Sequence, residues 1–109
     1  MLYDLSELAK SKECTEKALA TAKDIGNRAI EVSCYETLGT VLQDLGEYAK
    51  AKYYIEKALA IAKEMGDKKS VATSSLSLGN LFQSLGDYSK SEKHLEKALR
   101  MTKKNGRQE

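Results

Sequence analysis

Leu38-Gly39-Thr40-Val41-Leu42-Gln43-Asp44-Leu45-Gly46-Glu47-Tyr48-Ala49-Lys50-Ala51 returns forty positions later as Leu78-Gly79-Asn80-Leu81-Phe82-Gln83-Ser84-Leu85-Gly86-Asp87-Tyr88-Ser89-Lys90-Ser91. The same register places Gly26, Gly66 and Gly106 on one another and superposes Lys17-Ala18-Leu19, Lys57-Ala58-Leu59 and Lys97-Ala98-Leu99. A fixed period of tens of residues marks a solenoid of stacked units rather than a closed globule. Such an architecture presents an extended surface, so the pattern points to a binding module.

Each period divides at its glycines into two helical stretches. The expected helices run over 28–45 and 48–65, then over 68–85 and 88–105. In the first, Cys34, Tyr35, Leu38, Val41, Leu42 and Leu45 follow the spacing of a helix with one buried face. In the second, Tyr48, Ala51, Tyr54, Ile55, Ala58, Leu59, Ala62 and Met65 do the same. Two apolar faces in one unit pack on each other as an antiparallel pair. Gly46 and Gly86 supply the turn inside the pair, Gly26 and Gly66 end the second helices, and Asn27 or Asp67 follows as the cap of the next helix. Gly39 and Gly79 fall inside helices, where glycine costs about 1 kcal/mol against alanine. Their recurrence implies close helix approach, with Ala51, Ala58, Ser91 and Ala98 as the expected complementary small surface.

Composition agrees with an all-α chain. Among 109 residues there is no proline, so nothing between the glycines removes a backbone donor. The net charge of +2 comes from 18 basic and 16 acidic residues spread along the chain, which gives no footprint for nucleic acid or an anionic membrane. Lys103, Lys104 and Arg107 read as a solvated chain end. Cys14 and Cys34 have no metal-ligand spacing and are expected to be reduced core or interface residues. With no membrane-span length of apolar residues and no signal-like start, the default expectation is a cytoplasmic or nuclear chain, cytoplasmic first.

Leu38-Gly39, Leu42, Gly46, Tyr48, Ala51, Ile55 and Ala58, repeated as Leu78-Gly79, Phe82, Gly86, Tyr88, Ser91, Leu95 and Ala98, resemble the signature of tetratricopeptide repeats. The usual period of that family is about 34 residues. This chain is therefore similar to the longer variety found in G-protein-signalling modulators and kinesin light chains. The resemblance covers essentially the whole chain and implies a right-handed α-solenoid of antiparallel helix pairs. It departs from the pattern at Lys63 and Lys103, where a proline commonly ends the second helix, and at Tyr35 and Ser75, where a large aromatic is often found.

In this register the expected organisation is one domain. It holds a partial first repeat over 1–25 (the end of a first helix plus a second helix), full repeats over 26–65 and 66–105, and a tail over 106–109. More than half of the residues from Met1 to Ile25 equal their counterparts forty places on. No polar capping helix is evident, which predicts either a fragment of a longer array or a short chain that covers its ends by self-association.

No catalytic, metal or cofactor site is expected. The single histidine, His94, occupies the slot of Tyr54 and Cys14, a packing position. Lys12 with Glu16, Glu13 with Lys17 and Lys52 with Glu56 read as helix-surface partners rather than acid–base pairs. What packing leaves over is a polar stripe on the first helix of each unit: Ser33, Glu36, Thr40, Gln43 and Asp44, then Thr73, Leu76, Asn80, Gln83 and Ser84, with Tyr3 and Asp4 from the first unit. Arg28, Lys68 and Lys69 would form a basic rim. In tetratricopeptide arrays the first helices line the concave groove, so the resemblance implies that this stripe faces a peptide or protein ligand. It further implies that Asn80, directly after Leu78-Gly79, contacts the ligand main chain; Thr40 holds that place in the preceding unit. Glu36 and Leu76 stand where a lysine of the carboxylate-clamp type would be expected, so that clamp is not foreseen. The alternative to a groove-binding scaffold is a homo-oligomer or superhelical stack formed through uncapped ends.

Overall fold

The glycine spacing translates directly into helices. In the computed structural model, residues 5–106 are described, with side chains to Met101, so Tyr3 and Asp4 lie outside the described residues. The five helices are α1 (Leu5–Ile25), α2 (Arg28–Asp44), α3 (Tyr48–Met65), α4 (Lys68–Ser84) and α5 (Tyr88–Gly106). The expected boundaries hold to within one residue: Leu45 and Leu85 cap their helices instead of ending them, and α5 takes in Gly106, which was expected to open the tail.

Side chains start the helices where the sequence placed caps. Asn27 Oδ1 accepts from the Ile30 amide at 3.1 Å and Asp67 Oδ1 from the Ser70 amide at 3.2 Å. Each satisfies a donor that the first turn leaves without an intrahelical partner. Gly46 turns the chain between α2 and α3 at a φ of 83°, in the left-handed region that side chains adopt at a cost. Ser6 holds the equivalent place in the first unit, and there the chain does not turn: Leu5-Ser6-Glu7 is the first stretch of the single helix α1.

Gly39 and Gly79 are sites of close approach, as their recurrence implied, but the group they admit is large. A methyl at Gly39 would overlap Ile55 Cγ1 and stand 3.0 Å from Ile55 Cδ1; one at Gly79 would stand 2.7 Å from Leu95 Cγ and Cδ2. Ile55 on α3 and Leu95 on α5 thus seat directly on the backbone of the partner helix. The Ala51 carbonyl oxygen also lies 3.5 Å from the methyl position at Gly39, and the expected small residues Ala51, Ala58, Ser91 and Ala98 are all buried.

Around these pairs lie two apolar clusters. One joins α1, α2 and α3 through Leu19, Val32, Tyr35, Leu38, Ala58 and Ile61; the other joins α2, α3 and α4 through Leu42, Ile55, Leu59, Val71, Leu78 and Phe82. Cys34 belongs to the first cluster, whereas Cys14 is exposed and so is not a core residue. Both are free thiols. Ser75 fills the place of Tyr35 in the next unit and is fully buried, with its Oγ lacking a hydrogen-bond partner.

Consecutive helices pack on one another, and α2 also touches α4, while the backbones of α1, α3 and α5 do not approach each other among the described residues. The first helices of the units therefore form the inner, shorter row of a curved stack. A radius of gyration of 14.4 Å exceeds the roughly 13 Å of a globule of about this length.

Gly39→Ala adds a favourable helix former yet is expected to destabilise the chain by about 1–3 kcal/mol, because the Ile55 seat is overfilled. Urea unfolding of Gly39→Ala, Ile55→Ala and the double variant checks this. The double variant should lose less than the sum of the two single losses, and strict additivity would place the strain elsewhere.

Candidate functional site

The inner row presents its polar side away from the core. On α2 the buried residues Val32, Tyr35, Leu38 and Leu42 face the neighbouring helices, and Ser33, Thr40 and Asp44 stand exposed on the opposite side. On α4, Thr73, Asn80 and Ser84 repeat that placement. Thr37 and Ser77 lie on the midline of the same stripes, four residues after Ser33 and Thr73 and three before Thr40 and Asn80. They were passed over in the sequence, although helical spacing alone marks them. Leu76 is 48% exposed and supplies an apolar contact on this face.

Several of the hydroxyls are already engaged. Thr40 Oγ1 donates to the Glu36 carbonyl at 3.1 Å, Thr73 Oγ1 to the Lys69 carbonyl at 3.0 Å, and Ser84 Oγ to the Asn80 carbonyl at 3.3 Å. With the proton directed into its own helix, each oxygen offers lone pairs outward. The side-chain amides of Gln43, Asn80 and Gln83 make no hydrogen bond among the described residues, and they keep both donor and acceptor.

Two of the expected site residues serve the fold. Glu36 is half-buried in the seam between α2 and α4, where its Oε2 accepts from Ser74 Oγ at 3.0 Å. Burial pushes its carboxyl above the ordinary 4.5; the bond from Ser74 acts in the opposite direction, and the charge of Asp67 adds to the rise. Arg28 leaves the expected rim to pair with Glu64 of α3, Nη2 to Oε1 at 2.5 Å, with both side chains largely in solvent. Lys68 and Lys69 remain exposed at the start of α4. Other ion pairs are Lys50 with Glu47 and Lys90 with Asp87; the i,i+4 pairs expected from the sequence do not reach ion-pair distance among the described residues.

Asp67 accepts from both the amide and the hydroxyl of Ser70, and those bonds hold its carboxyl below the usual range. No cluster of three or more histidine, cysteine or carboxylate groups suited to a metal ion occurs among the described residues. None of the helices there is long and apolar enough to cross a membrane.

A stack of helix pairs with this register is what the tetratricopeptide repeat family model describes, and that model matches residues 1–64 and again 35–104. The chain belongs to the tetratricopeptide repeat family. Among solved structures, the TPR domain of Arabidopsis FLU is similar at 23% identity, over 90% of this chain and 82% of that one, with a TM-score of 0.84. At that identity the likeness is one of fold. No curated protein sequence is significantly similar to this chain. Tetratricopeptide repeats generally mediate protein–protein interaction and are typically non-catalytic. The two matched stretches of this repeat protein overlap over residues 35–64, from within α2 into α3.

The raised carboxyl of Glu36 has a definite sign in stability. The folded chain holds that proton more tightly than the unfolded one, so the contribution is fully present below the ordinary 4.5 and is lost as pH rises through the folded value. Glu36→Gln retains an oxygen that accepts from Ser74 and lacks the ionisation. Its melting temperature should therefore rise relative to wild type as the pH goes from about 4 to about 7. A constant difference across that range would show that Glu36 carries no burial penalty.

Proposed function

We propose that the inner face of α2 and α4 binds an extended peptide segment of a partner protein and performs no chemistry on it. The observation that carries this reading is the pair of polar stripes set opposite the core on adjacent helices, with outward oxygens at Thr40, Thr73 and Ser84 and unengaged amides at Gln43, Asn80 and Gln83. An extended main chain alternates N–H and C=O groups, and this face offers partners for both at one-turn intervals. Hydrogen bonds to the main chain give affinity, while side-chain contacts such as that offered by Leu76 give selectivity. Asn80 is the residue best placed to hold the peptide backbone, since it lies on the midline and has both functions available. Lys68, at the start of α4, supplies charge at the edge; Arg28 does so only by releasing Glu64.

The end of the stack supports a second, structural reading. Leu19 and Leu59 are each 9% exposed beneath the following helix, whereas Leu99, the equivalent on α5, is 63% exposed. A second copy of the chain seated on α5 would cover it. That arrangement predicts a solution mass above 12.1 kDa and melting that rises with concentration.

Peptide-display selection on the wild-type chain, run in parallel with a Gln43→Ala, Asn80→Ala double variant, separates the readings. Groove binding predicts a motif that the variant fails to enrich, with affinity for the selected peptide weakened roughly tenfold or more and melting unchanged. Equal enrichment on both chains would reject the inner face as the site.

A further inference from the structure

The outer row holds a groove between α1 and α3, and its repeat-related counterpart is the seam between α3 and α5. Between α1 and α3 the space is about 320 Å³, floored by Leu42 and walled by Lys12 and Glu16 on one side and Tyr53 and Tyr54 on the other. Forty residues on, the corresponding positions between α3 and α5 are Phe82, Lys52, Glu56, Lys93 and His94. The exchange of a tyrosine pair for Lys93-His94 turns an aromatic wall into a basic one.

That seam concentrates positive charge that the linear sequence disperses. The Phe82 ring stacks on His94 at 5.5 Å, and the ammonium groups of Lys52 and Lys90 lie 5.8 and 5.5 Å from the same ring. Lys97 of α5 lies against Lys63 of α3. The carboxylates nearby are Glu56, which faces His94, and Asp87, whose Oδ2 is 3.9 Å from Lys90 Nζ. Burial and then the charge of Lys97 hold His94 below its ordinary range; burial and then Lys63 do the same to Lys97. Like charges are being held together in partly buried positions, and an incoming anion would relieve that cost.

We propose that the basic surface along the α3/α5 seam, built by Lys52, Lys90, Lys93 and Lys97 around the Phe82–His94 stack, docks a peptide segment carrying several aspartate or glutamate side chains. Lys90, Lys93 and Lys97 succeed each other at one-turn intervals along α5, matching a short run of carboxylates. A long phosphate backbone is disfavoured, because it needs an extended basic surface and the whole chain carries a net charge of only +2, whereas a short acidic segment needs only the local lysine row. The site is on the outer row, so it is compatible with a ligand on the inner face and independent of it.

The test is an NMR titration of the full chain with hexaglutamate peptide, combined with a pH titration of His94 with and without the peptide. Saturable amide shifts at Lys52, Glu56, Lys93 and Lys97 are expected, together with a rise in the His94 pKa on binding. A Lys93→Gln, Lys97→Gln double variant should bind about tenfold more weakly, while the charge-matched control Lys10→Gln, Lys17→Gln on α1 binds as wild type. Circular dichroism establishes that both variants are folded. Equal weakening by the two double variants would overturn the proposal, as would shifts confined to α2 and α4. Equal or tighter binding of inorganic phosphate, or of a single-stranded oligonucleotide of the same charge, would overturn the assignment to an acidic peptide.

Discussion

Everything in this stack follows from the seating of Ile55 on Gly39 and of Leu95 on Gly79. A side chain at either glycine would separate the paired helices, so the missing carbon sets both their distance and their register. Once α2 is fixed on α3, the apolar residues of the pair have only the adjacent units left to face. The two clusters that bridge α1–α2–α3 and α2–α3–α4 are the result. Stability therefore builds from neighbour to neighbour, as it does in repeat proteins generally.

The same packing decides where binding chemistry is possible. Because α2 touches α4 while the second helices stay apart, the molecule has one continuous inner face and a grooved outer one. The inner face is rich in hydrogen-bonding groups, with Asp44 its exposed carboxylate and the protons of Thr40, Thr73 and Ser84 turned into their own helices. The outer α3/α5 seam is charged and holds the Phe82–His94 stack. One scaffold thus carries two surfaces of different chemistry, the inner rich in hydroxyls and amides and the outer in lysines.

Periodicity made the fold legible: the five helices, their turns and the caps at Asn27 and Asp67 all follow from residues a few positions apart. The exposed stripe was legible for the same reason, since helical spacing separates Ser33, Thr40 and Asp44 from Leu38 and Leu42. What escaped depends on distance across the fold. Glu36 meets Ser74, and Arg28 meets Glu64, over separations close to one repeat, and no local pattern announces either contact. Lys63 and Lys97 likewise read as separate surface charges until α3 and α5 are set side by side. The helix through Leu5-Ser6-Glu7 and the exposed Cys14 belong to the unit with the least around it, where repeat register describes the surroundings least well.

The most direct measurement is an amide chemical-shift map of the folded chain with a display-selected peptide bound at saturation. Shifts concentrated at Ser33, Thr37, Thr40 and Asp44 of α2 and at Thr73, Ser77, Asn80 and Ser84 of α4 are the predicted result. Shifts concentrated on α1, α3 or α5, with those eight residues unmoved, would contradict the assignment of the inner row as the ligand-binding face.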